Sequence, residues 1–201
     1  MFSFTSQGTK FDTTHSNGNG PPTLRLHGQT YHRIGTLLLE QGNPPKYSQL
    51  YIFEIDNEVD NRMDYFRENK NVKREVVLEL KYMLDNCNVH AKAFRMTRDM
   101  LKENSFLDLK LKLIAARPED IRVYNRPTIS EVGTLIVGHI VSGSQRDIII
   151  QARDGNLQKI DELHPCYLAC QYPLIFFSGE DGYRDNILHM YKNEHLIIRK
   201  N

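Results

Sequence analysis

Apolar residues recur at helical spacing in two neighbouring segments. Over 71–86, NVKREVVLELKYMLDN, the residues Val72, Val76, Val77, Leu80, Met83 and Leu84 fall on one helical face. Asn71 is the expected N-cap, because its side chain can accept from an unpaired first-turn N–H. Over 88–104, NVHAKAFRMTRDMLKEN, the same arrangement repeats through Val89, Ala93, Met96, Met100 and Leu101. Only the short break Asn86-Cys87-Asn88 separates the two segments, which predicts an antiparallel helix pair. Residues 57–68 read as a further short helix with weaker periodicity.

The period changes at residue 107. In LDLKLKLIA (107–115), Leu107, Leu109, Leu111 and Leu113 alternate with Asp108, Lys110 and Lys112, the pattern of a half-buried strand. VGTLIVGHIV (132–141) and RDIIIQAR (146–153) are β-branched runs, and RDGN (153–156) carries the Asp-Gly pair that favours a tight hairpin before LQKI (157–160). These segments predict an antiparallel meander over 132–161, with the 107–115 strand paired to it and the helix pair covering one face. Earlier in the chain, 23–38 reads as a hairpin turning at Gly28-Gln29, and LYIFEI (50–55) as a strand. The stretch HSNGNGPP (15–22) is turn- and linker-like, so residues 1–22 are expected to form a flexible N-terminal arm ahead of one domain over 23–201. The expected class is α+β: an antiparallel β-meander packed against an antiparallel helix pair.

Composition narrows the function classes. The 201 residues are 40% hydrophobic and 25% charged, enough to bury a core without disulfides or metals. Lys plus Arg number 26 and Asp plus Glu 25, so the net charge of +1 supplies no global pull toward nucleic acid and any such contact must be local. The opening MFSFTSQGTKFD lacks the basic and apolar regions of a secretory signal. No apolar run approaches the ~20 residues of a membrane span. The expectation is an intracellular chain, without membrane association, whose three cysteines are reduced.

The segment ELHPCYLACQYPLIFFSGEDGYRDNI (162–187) raises a metal question. His164, Cys166, Cys170, His189 and His195 are adequate zinc ligands in kind. Their spacing is poor: the gap from Cys170 to His189 exceeds the finger pattern, and Pro173 to Phe177 within it reads as packed core. The competing reading is two small buried thiols beside aromatic rings. Phosphate cradles fare worse, because no Gly-Lys pair occurs and the Gly-rich GNG (18–20) runs into two prolines. No Gly-x-Ser-x-Gly elbow is present. None of the eight histidines has another two residues away, so no His-hydrophobic-His metal pair exists.

Basic-aromatic clusters remain. YHRIG (31–35) offers Tyr31, His32 and Arg33, and RPEDIRVYNR (117–126) offers Arg117, Arg122 and Arg126. Such groups neutralise phosphates and stack on bases, with single-stranded DNA the expected partner; Lys110 and Lys112 project from one strand face in the same sense. The plainer alternative is a solvated charged surface.

Several longer phrases point to a family. FSFTSQGTKFDTTHSNGNGPPTLRLHGQTYHRIGTLL, PPKYSQLYIFEIDNEVDNRM, YNRPTISEVGTLIVG and RDIIIQARDGNLQKIDELHPCYLACQYPLIFFSGEDGY occur in this order, and together the chain resembles plant Helitron transposases at and just before the Helitron helicase-like domain. The likeness covers roughly 2–192. The phrase HPxYLPxQYPLLFPxGEDGY of that family is kept here at His164, Pro165, Tyr167, Gln171, Tyr172, Pro173, Leu174, Gly179 and Gly182, whereas Ala169 and Phe177 stand where it has proline. The resemblance implies rolling-circle transposition: a paired-histidine nuclease working through tyrosine, and an ATP-driven helicase, both beyond residue 201. On that basis the chain is expected to be a non-catalytic, truncated, nuclear piece of such an enzyme, with no cofactor, no metal and no catalytic residue, that retains weak single-stranded DNA binding. A domesticated protein-interaction module and a zinc-binding domain are the alternatives.

Overall fold

The computed structural model describes residues 1–8, 10–12, 25–27, 31–39, 42–53, 56–66, 71–103, 108–116, 126–137, 147–151, 156–184, 189–190 and 196–197. The fold is α+β. In one three-stranded sheet, β5 (Leu109–Leu113) lies between β6 (Gly133–Val137) and β7 (Ile148–Gln151), antiparallel to both. Leu109, Leu111 and Leu113 are buried, as their alternation requires, while Lys110 and Lys112 are half-buried on the other side. The expected meander is therefore corrected: β6 and β7 flank β5 instead of pairing with each other. The central position satisfies both backbone edges of β5.

A second three-stranded sheet has the order β1 (Ser6–Gln7), β4 (His32–Ile34), β8 (Gln158–Ile160), again antiparallel. The expected 23–38 hairpin is replaced: β3 (Arg25–His27) pairs with β2 (Lys10–Asp12), and β4 pairs with β1 and β8. Both halves of that segment thus take the N-terminal residues as partner. Gly28-Gln29 and Asp154-Gly155 lie outside the described residues, but β8 is ladder-paired to β4 and not to β7. The two sheets are tied where Leu37 N–H donates to the Gln151 carbonyl (3.1 Å). A short pair, β9 (His189–Met190) with β10 (Leu196–Ile197), lies near the C-terminus.

The N-terminal residues are core, which corrects the flexible arm over 1–8. Phe4 is fully buried and stacks against both Tyr51 (ring centroids 4.4 Å) and Phe94 (5.2 Å). Its N–H donates to the Cys170 carbonyl (2.8 Å), and its carbonyl accepts from Ser48 N–H (3.2 Å). Residues 50–53, the described part of the expected 50–55 strand, do not form a strand. Tyr47–Tyr51 is a short 3-10 helix whose Leu50 and Tyr51, with Ile52 after it, are all buried. A short apolar run that is covered on every side shows no period by which strand and helix could be told apart.

The helices are α1 (Glu58–Asp64), α2 (Arg74–Cys87), α3 (Val89–Glu103), α4 (Ile129–Val132) and α5 (Tyr167–Gln171). Lys73, not Asn71, is the N-cap of α2, and it makes no side-chain capping bond. Val77 and Leu84 of α2 are buried with Phe2 and Val59, and Leu80 and Met83 pack partly against them. Asn88 alone separates α2 from α3, and its Oδ1 accepts from the N–H groups of His90 and Ala91 (both 3.0 Å), so it caps α3. The buried positions of α3 are His90, Ala91, Ala93, Phe94, Arg95 and Thr97, whereas Met96, expected inside, is exposed. Arg95 is drawn in by carboxylates at Glu58 (2.7 Å) and Asp85 (3.0 Å). Among the described residues no helix is long and apolar enough to cross a membrane.

Candidate nucleic-acid interface

Directly opposed residues of an antiparallel ladder point to one side. Ser6, Arg33 and Lys159 are opposed across β1, β4 and β8 and share a face. The opposite face carries Ile34 and Ile160, both buried. Two residues before Arg33, Tyr31 is on the same side as Arg33. The Arg33 guanidinium lies 4.9 Å from the Tyr31 ring centroid, and the Lys159 ammonium 5.1 Å. Arg33 Nη2 also donates to the Tyr31 hydroxyl. Neither cation has a carboxylate partner among the described residues. Tyr31 itself is seated on Gly8: Gly8 N–H donates to the Tyr31 carbonyl (2.8 Å), and a Cβ at residue 8 would fall 2.1 Å from Tyr31 Cε2. Only glycine admits that approach.

Among the residues selected from sequence, the structure brings Tyr31 and Arg33 together. His32 is a correction: it points inward, 3% exposed, with its ring 4.2 Å from that of Tyr167, so it offers no face to a base. Strand alternation is the reason, since neighbours in β4 cannot share a side. Burial holds its imidazole below the ordinary value. Arg126 is exposed and faces a different ring, Phe177, at 5.7 Å. Arg117 and Arg122 lie outside the described residues. Lys159 was missed, because only the β4–β8 register brings it beside Arg33. Lys110 and Lys112 carry less weight as anion contacts, being paired with Asp108 and Asp147 (both 2.9 Å).

The thiol segment forms a packed corner. Cys166, the N-cap of α5, and Cys170 within that helix are fully buried, and Cys87 is exposed. His164 Nδ1 accepts the Cys166 N–H (3.1 Å), and its Nε2 is a buried atom with no hydrogen-bond partner among the described residues. A hydrogen bond from the Cys170 side chain holds the Cys166 thiol well below its usual range; burial opposes this, and His90 and His164 reinforce it. No group of three or more His, Cys, Asp or Glu among the described residues is placed to hold a metal ion. The corner is locked to the start of α3: Val89 N–H donates to Ser178 O (3.2 Å) and Asn88 Nδ2 to Phe176 O (3.2 Å). Gly179 has φ +79 there, and a Cβ on it would meet Val89 Cγ2 at 2.7 Å.

One part of the corner departs from the packed-core expectation for 173–177. Leu174, Ile175 and Phe177 are exposed, Ile175 by 73%. With Phe2, Phe66, Val76 and Leu80, the turn containing Leu174 and Ile175 lines an open apolar groove of about 710 Å³.

Set against family models, curated proteins and solved structures, the chain matches none.

Proposed function

We propose that this chain is a non-catalytic, DNA-associated region of the Helitron transposase type, nuclear in location, that binds single-stranded DNA weakly and without sequence preference. The long phrases kept in order, from FSFTSQGTKFD to GEDGY, support the family reading. The observation that carries the binding reading is the pair Arg33 and Lys159, adjacent on one sheet face without carboxylate partners among the described residues. Two such cations neutralise phosphates locally although the net charge is only +1. The non-catalytic reading rests on the sequence, which has neither a His-hydrophobic-His pair nor a Walker lysine. Anisotropy titrations of a labelled oligothymidylate over a salt series test the binding. Affinity should fall as salt rises, and the double change Arg33→Gln/Lys159→Gln should flatten the log–log slope by up to about 1.4, from about 0.7 per phosphate on a single strand. Binding that ignores both salt and the double change refutes the assignment.

A second reading, a protein-interaction module, is favoured by the apolar groove between α2 and residues 171–175. Failure of the folded protein to bind any oligonucleotide at low salt would put that reading ahead.

A further inference from the structure

The sheet face that holds Arg33 and Lys159 also says how a strand would be read there, granted the single-stranded DNA reading above. An aromatic side chain serves as a base-stacking platform only when a ring face is open. Tyr31 does not meet that condition. Its ring rests on Gly8 so closely that a Cβ at that position would fall 2.1 Å from Cε2 and 2.5 Å from Cδ2. Its centroid is approached by the Arg33 guanidinium at 4.9 Å and the Lys159 ammonium at 5.1 Å. Its hydroxyl accepts from Arg33 Nη2. The other ring in this motif, His32, is turned into the core. What faces solvent is therefore charge held in place by a ring. The quadrupole of Tyr31 attracts both cations and restrains two long side chains that would otherwise lose rotamer freedom on meeting an anion.

We infer that this site recognises the sugar-phosphate backbone alone: Arg33 and Lys159 take neighbouring phosphates, Tyr31 acts as their positioning residue, and the bases make no stacking contact. Removing the bases from the ligand should then cost nothing, while neutralising the cations should cost the binding.

The test compares oligothymidylate with an oligomer of equal length whose sugars carry no base, at the same low salt, against the intact chain. Equal affinities, lost together in Arg33→Gln/Lys159→Gln, are the expected result. Tyr31→Leu should weaken both ligands to the same degree, because it frees the cations without removing a base contact; circular dichroism confirms that the variants are folded. A base-bearing oligomer that binds about fivefold or more tighter than the abasic one, the least that one stacked base contributes, overturns the inference. It does so the more clearly if Tyr31→Leu erases that preference, and it leaves the single-strand reading in place. No binding of either oligomer to the folded chain overturns that reading, and this inference with it.

Discussion

Glu58→Gln is expected to destabilise the protein by about 3–5 kcal/mol, although it changes one oxygen for a nitrogen. Glu58 is 0% exposed, with Oε1 2.6 Å from Arg62 Nη2 and Oε2 2.7 Å from Arg95 Nη2. The two arginines are not equally placed to survive its loss. Arg95 keeps Asp85 at 3.0 Å. Arg62, itself fully buried, would keep only neutral partners among the described residues: the Met1 carbonyl and the rings of Phe2 (4.6 Å) and Tyr51 (4.5 Å). A buried guanidinium without a counter-charge is the costly product, and the new amide N–H₂ would also be presented to a cation. Burial pushes the Tyr51 hydroxyl up to about 12 against the opposing pull of Arg62 and Arg95, with Glu58 adding to the rise, so it stays a neutral donor to the Phe2 carbonyl (2.7 Å). Arg62 and Tyr51 together fasten residues 1–4, so the loss is felt where the N-terminal segment enters the core.

Urea unfolding followed by far-UV circular dichroism measures this cost, with tyrosine fluorescence as a second probe because the chain has no Trp. The corresponding fall in Tm is about 6–20 °C for a chain of this size. Asp60→Asn is the control: its partner Arg74 is 3.0 Å away, but the two side chains are 59% and 51% exposed, and such a pair contributes about 0–1 kcal/mol. A Glu58→Gln cost no larger than that of Asp60→Asn would refute the account of a buried, charge-balanced cluster.

Two further outcomes follow from buried groups. Burial lowers the folded-state pKa of His32 below its ordinary 6.5, so the unfolded chain takes up that proton first. Its contribution is therefore intact above about pH 6.5 and lost as the pH falls through the lowered folded value. His32→Phe, set against Tyr167 and Tyr172, should flatten the acid side of the stability–pH curve, and parallel curves for the two proteins would show that His32 is not the group responsible. Iodoacetamide followed by mass spectrometry should label Cys87 in the native chain and reach Cys166 and Cys170 only after denaturation, since access limits a thiol however low its pKa. Native labelling of all three thiols at similar rates contradicts the packed corner.

Local pattern alone was enough to recognise α1, β6, β7 and β8 as elements, and most sharply α2, α3 and β5. Each of the last three carries an apolar period over several turns or pleats, and that period follows from backbone geometry without reference to any partner. It also placed Tyr31 and Arg33 two residues apart, which in a strand means one side. Pairing was a different matter. Asp154-Gly155 is a strong local hairpin signal, yet β8 pairs with β4, and β5 lies between β6 and β7. A strand's hydrogen-bonding edge carries no sequence label, so the choice of partner is made by which faces can be buried together. The same holds for α3, where two distant carboxylates pull Arg95 inside and leave Met96 in solvent. It holds for residues 1–8, where Phe2 and Phe4 find pockets built from Tyr51, Phe94 and α2. The candidate site is divided along this line. Tyr31 and Arg33 were legible as neighbours in a strand, but Lys159, Gly8 and the inward turn of His32 depend on long-range register, which only the closed tertiary structure decides.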